Sequence, residues 1–300
     1  MKGPSMIRMR STRLPIAALL IVLAVAGCGG SEKPAETPDS PSPQPSAPSA
    51  PSAPADQAAV KHAPAAPQEK FDVDFVEAKP APDLERSPRV SINVPGYDQP
   101  ISPKLVANTR VIYSVQGLSD APEGSYLQFV LDNKPFRPIT NMSEKIMLTD
   151  LAGPDGLAEG EHFVAAFINR PNHESIKDDK NVAVRRFFVG GMTNPRWNSR
   201  NGPLLILGSP HQTVNGDPLV DYIVLNATIS STQYSIRAFV EGPGMKPNGS
   251  TQRIITIARP WIILSAREDV EYKVELQLLD SQGEPVPYGS ATRTFKVQRD

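Results

Sequence analysis

The side chains best suited to chemistry are few and scattered. One cysteine, Cys28, stands in the stretch VLAVAGCGGS, residues 22–31. The four histidines are His62, His162, His173 and His211, and no two have the HxH or HExxH spacing that sets a pair on one metal. Asp150, Asp155 and Glu159 surround a Gly-rich stretch, DLAGPDGLAEGE, and oxygen-rich loops at sheet ends can take Ca²⁺. The DxDxDG spacing is missing, so a solvated acidic loop competes with that calcium reading. Neither a GxSxG elbow nor an SxxK pair supplies a nucleophile. Paired carboxylates for glycoside hydrolysis would have to meet in space, and sequence does not display that. The residues therefore point away from an enzyme and require no cofactor. An active site assembled in space around carboxylates or His162 is the remaining catalytic reading.

The surroundings of Cys28 give its chemistry. Lys2, Arg8, Arg10 and Arg13 make a basic start without acidic residues, followed by the uncharged run Leu14–Gly27. That order is the layout of a secretory signal peptide. The run has 14 residues, whereas a membrane-spanning helix needs about 20. Met1, Met6 and Met9 all precede enough of the signal to serve as the start. Val25-Ala26-Gly27-Cys28, at the end of this run, resembles the lipobox of bacterial lipoproteins. The resemblance implies cleavage before Cys28, acylation of its thiol and new amino terminus, and membrane lipid as the first partner. Two or more acyl chains hold a protein stably, and each buried methylene contributes about 0.8 kcal/mol. Gly29, where an Asp would favour inner-membrane retention, implies the outer membrane. Which side of that membrane the protein faces is left open.

Without the four basic residues of the signal, 27 Lys and Arg stand against 32 Asp and Glu, a net charge of −5. This balance argues against nucleic acid, whose binding needs clustered positive charge. Between Ser31 and Lys70 lie ten of the 32 prolines, including the period-three run PSAPSAPSAPA from Pro45. Proline removes donors and fixes φ, and large apolar residues are scarce here, so a disordered tether of polyproline II character is expected over residues 28–70. Fully extended, such a tether reaches on the order of 120 Å.

Residues 71–300 carry short apolar runs punctuated by Pro, Gly, Asn and Asp, with no helical stripe, and are expected to be all-β. The halves also match. EHFVAAFINRPNHE from Glu161 aligns with EYKVELQLLDSQGE from Glu271, so Val164, Ala166 and Ile168 correspond to Val274, Leu276 and Leu278. RFFV ending at Val189 aligns with TFKV ending at Val297. His162 falls opposite Tyr272, and both are expected at a sandwich corner like the tyrosine corner of immunoglobulin folds. Strand pattern and length are similar to those of tandem Ig-like or fibronectin-III-like modules of bacterial envelope proteins. The implied organisation is a signal peptide over 1–27, a lipidated linker over 28–70, Ig-like sandwich 1 over 71–190, a joint over 191–202 and Ig-like sandwich 2 over 203–300.

Aromatic residues could form a ligand platform. Tyr97 and Tyr288 lie in turn-like contexts, PGYDQP and VPYGS, and Trp197 lies in the joint. Trp197 could instead cap one sandwich and restrict the hinge. The first functional expectation is a non-enzymatic envelope lipoprotein that binds or scaffolds another envelope protein. The alternative is an accessory lipoprotein that binds carbohydrate or cell-wall glycan.

Overall fold

A computed structural model describes residues 72–298 except 193–194 and 247. The signal, Cys28, the lipobox and the Pro-rich tether lie outside the described residues. The described chain falls within one compact unit, and it is all-β, as expected.

Strand β1 is Asp74–Glu77. The first sandwich then runs β2 Arg89–Val94, β3 Gln99–Ile101, β4 Arg110–Gln116, β5 Tyr126–Leu131, β6 Lys134–Pro135, β7 Ile146–Met147, the one-turn helix α1 Leu148–Ala152, β8 Gly160–Asn169 and β9 Val182–Val189. The second runs β10 Leu204–Ser209, β11 Thr213–Asn215, β12 Leu219–Leu225, β13 Ser235–Glu241, β14 Ser250–Ile255, β15 Trp261–Leu264, β16 Glu271–Leu279 and β17 Pro285–Gln298. Each sandwich has a five-stranded sheet, ordered β3-β9-β8-β5-β6 or β11-β17-β16-β13-β14. Each also begins by switching sheets: β2 pairs antiparallel with β4 and β3 parallel with β9, while β10 pairs with β12 and β11 with β17 in the same senses.

The internal repeat is therefore a repeat of structure. Val164, Ala166, Ile168, Phe187 and Val189 lie in the core of the first sandwich. Their counterparts Val274, Leu276, Leu278, Phe295 and Val297 lie in the core of the second. In β17 the pattern alternates buried and exposed along most of its length, because one face meets the core and the other meets water.

Two features depart from a simple tandem. First, β1 does not join the first sandwich. It pairs antiparallel with β15, Phe75 opposite Ile263 and Glu77 opposite Trp261, and completes the sheet β1-β15-β12-β10. Phe75 is buried in the second core, 4.8 Å from the ring of Trp261. The chain then crosses to the first sandwich. Ala78 N donates to Pro260 O at 2.9 Å on the second sandwich, and Ala81 N donates to the Glu174 carboxylate at 3.0 Å on the first. Second, the sandwiches share a third core. Val130, Phe163, Ala165 and Phe167 from the first meet Leu204, Ile206 and Ile223 from the second. For this reason β5 and β10 are buried at every position, on both faces.

Candidate functional site

Trp197 and Tyr288, singled out in the sequence, lie at the boundary between the sandwiches, where the structure forms two clusters. The first surrounds the joint. Arg186, in the middle of β9, donates from Nε to Asp98 Oδ1 at 2.6 Å and from Nη1 to the backbone oxygen of Trp197, and pairs with Glu161 at 3.3 Å. Glu161 also accepts from Arg196 N at 2.8 Å. Hydrogen bonding from Arg186 holds the Asp98 carboxyl below its ordinary range, against the opposing effect of burial. The joint is thus pinned to the first sandwich by an arginine whose donors have internal partners.

Trp197 is 4 % exposed and packs in the shared core. Its Nε1 donates to Gly202 O at 3.1 Å. A Cβ on Gly202 would lie 2.7 Å from the Trp197 ring, so this close approach requires glycine. Tyr288 of the second sandwich packs 5.6 Å from Trp197 and 6.1 Å from Phe163, and burial pushes its hydroxyl up to about 12. Trp197 and Tyr288 are therefore packed between the sandwiches and are not an open platform. Tyr97 is 54 % exposed, with the Arg185 guanidinium 4.0 Å over its ring.

The calcium candidates are not gathered into a site. Asp150 Oδ2 accepts from Met147 N at 2.8 Å and caps the start of α1, and Asp155 pairs with Lys134 at 3.7 Å. Glu159 lies against Gly190. Among the described residues, no group of three His, Cys, Asp or Glu is placed to hold a metal ion.

His162 sits at the expected corner. Its Nδ1 bonds to Asp132 at 2.6 Å and its Nε2 to Ala158 O at 2.9 Å, and the ring stacks on Phe187. Tyr272 repeats the arrangement. Its ring stacks on Phe295, and its hydroxyl accepts from Arg267 N and donates to Pro243 O. Gly242 passes so close that a Cβ would lie 2.2 Å from the Tyr272 ring. Burial opposes charge on His162, but the Asp132 bond and charge, with Ala158 O, outweigh it and raise its affinity for protons.

The second cluster has no counterpart in the sequence reading. Tyr126 and Asn169 of the first sandwich, His173 in the turn after β8, and His211 after β10 meet at one oxygen. Tyr126 Oη lies 2.6 Å from His173 Nδ1, 3.2 Å from His211 Nε2 and 3.1 Å from Asn169 Nδ2. Arg293 reaches from β17 to the carbonyls of Asn133, Leu207 and Pro210 at 2.7–2.9 Å. Asn133 accepts from Leu207 N at 3.0 Å and donates to Leu205 O at 3.0 Å. Asp221, wholly buried, accepts from Ser175 and from Lys177 Nζ at 2.6 Å. The bonds from Tyr126 to His211, from Arg293 to Asn133, from Asn133 to Leu205 and Leu207, and from Asp221 to Ser175 and Lys177 cross from one sandwich to the other. The only sequence signal for them is the turn at Asn133; the histidines are too far apart in the chain to be read as a pair.

No family model matches the chain, nor does any characterised protein. Solved structures of a β-glucuronidase from Parabacteroides merdae, one with glycerol in its active site, align with 12% identity and TM-scores of 0.19 and 0.20. The alignments cover 70% and 71% of this chain but only about a quarter of that enzyme, and similarity at this level carries no argument about function.

Proposed function

We propose that this chain is an envelope lipoprotein, held in the outer membrane by acyl chains on Cys28, whose folded part is a rigid, non-catalytic body for binding or scaffolding. The lipobox residues Val25, Ala26 and Gly27 and the signal before them support the anchor. The Pro/Ala/Ser-rich segment supplies the reach its composition implies. One observation carries the reading of the folded part: its chemistry-bearing residues are spent on internal bonds, several of which cross the boundary between the sandwiches. Arg186, Arg293, Asp221, His162, His173 and His211 all bond to groups of the chain itself. Side chains committed this way fix one arrangement of two sandwiches, which suits a platform better than a reaction centre.

The partner is another envelope protein or a cell-wall glycan. The glycan reading rests on Tyr97, the one of its three aromatic candidates that is exposed, with the Arg185 guanidinium over one face of its ring. Metabolic labelling with palmitate tests the anchor: wild type takes the label and Cys28→Ala does not. Equal labelling of the two would remove the anchor from the account.

A further inference from the structure

The cluster at Tyr126 has a hydrogen-bond arithmetic of its own. A phenol has one proton to donate and two lone pairs. Asn169 Nδ2 can only donate, so it takes one lone pair. The shorter contact, 2.6 Å to His173 Nδ1, is the natural place for the phenolic proton, with that nitrogen as a bare acceptor. His211 Nε2 then donates to the second lone pair. All the groups are satisfied only while at least one of the two imidazoles is neutral, because either His173 Nδ1 or His211 Nε2 can be the bare acceptor of the phenolic proton. With both rings protonated, His173 Nδ1 and His211 Nε2 would join Asn169 as three donors aimed at one oxygen, and the phenolic proton would have no acceptor.

The surroundings make no provision for added charge. The groups facing the two imidazoles are Tyr126 on β5, Asn169 on β8, Arg293 on β17 and, across a cleft of about 310 Å³, Arg137. Arg293 and Arg137 are cations; Arg137 is paired with Glu144, and Arg293 spends its donors on carbonyls. Nearby carboxylates are already engaged, Asp221 by Lys177 and Ser175, and Glu174 by Ala81 N. Neither ring has a carboxylate among its hydrogen-bond partners, in contrast to His162 with Asp132. The cleft is lined by both His173 and His211, so water and protons can reach them.

We propose that the Tyr126–His173–His211 cluster is a pH-operated lock on the boundary between the sandwiches: neutral imidazoles close it, and acidification loosens one sandwich from the other. His173 and Tyr126 belong to one sandwich and His211 to the other, so the Tyr126–His211 bond spans the boundary, and two charged rings would face each other across it. Burial lowers the proton affinity of His173. It takes His211 down to about 4, with the positive neighbours His173 and Arg293 adding to the effect. Both groups bind protons more readily once released. The closing contribution is therefore complete above about pH 6.5 and is lost as pH falls toward 4. The lock is independent of lipid attachment.

The test is hydrogen exchange on the full mature chain in detergent, at pH 7.5 and pH 5, corrected for intrinsic rates. Amides of β8 and β10 report the boundary; those of β13 report a core strand of the second sandwich. In wild type, the opening equilibrium of β8 and β10 rises on the order of tenfold or more at pH 5, and that of β13 rises less. In His173→Asn with His211→Gln, which keep an acceptor and a donor at the same places without a titrating ring, the rise disappears. An equal rise in the double variant, or none in wild type, overturns the lock. Should the double variant not fold, side-chain NMR of wild type decides. Both histidines titrating well below 6.5 in the closed protein supports the lock, and ordinary titration near 6.5 overturns it.

Discussion

His162 and Tyr272 occupy equivalent corners but solve the problem with different chemistry. Tyr272 bonds two backbone groups and does not need charge. His162 bonds a carboxylate, Asp132, and a carbonyl, and these partners are best satisfied when the ring carries both protons. Its proton affinity is raised in the folded state, so its contribution is full below about pH 6.5 and fades as pH climbs through the folded value. His162→Gln is therefore expected to cost about 1–2 kcal/mol at pH 5.5 and less at pH 8, since Asp132 is partly exposed. Urea unfolding at the two pH values, compared with wild type, measures it; a cost that grows with pH would reverse the assignment. The corner itself was legible from the alignment of His162 with Tyr272. The pairing of His173 with His211 was not, because it depends on how two separate sandwiches pack.

At the scale of elements, the sequence shows most strands through their apolar alternation, and β2 and β9 fall where the pattern places them. The apolar run inside Glu144–Thr149 forms only the short β7 before the chain turns into α1, with Asp150 capping the turn. Strand β1 is not legible in the sequence, for a physical reason. DFVE is only four residues long, it is followed by prolines, and its partner β15 lies almost at the other end of the chain. Yet it closes the edge of the second sandwich, so a fragment beginning at residue 203 lacks a strand of its own sheet. Phe75→Ala tests this role. Removing a fully buried aromatic side chain is expected to cost about 3–5 kcal/mol. The loss is read by urea unfolding followed through Trp261, the ring that Phe75 contacts. A loss below about 1 kcal/mol would mean that β1 is not part of that core.

At the scale of the whole molecule, the repeat in the sequence suggests two modules joined by a Gly- and Asn-rich hinge. The structure joins them through a core instead. The signal was present in HFVAAFIN, LLILG and YLQFVL, which are apolar on both strand faces and not alternating. Reading only Val164, Ala166 and Ile168 left Phe163, Ala165 and Phe167 unassigned, and those three residues make the boundary. A repeat explains one face of each strand; the other face is explained by the neighbouring module. The strap from β1, the pinned joint and the bonds of Arg293 and Asp221 all act in the same direction, toward one fixed arrangement. The most direct measurement of that claim is the distance between spin labels on the two sandwiches, at Lys104→Cys and Arg253→Cys, in a Cys28→Ala background at pH 7.5. Both positions are exposed. A rigid platform predicts a single narrow distance distribution; a broad or two-peaked distribution would show a hinge and contradict the account.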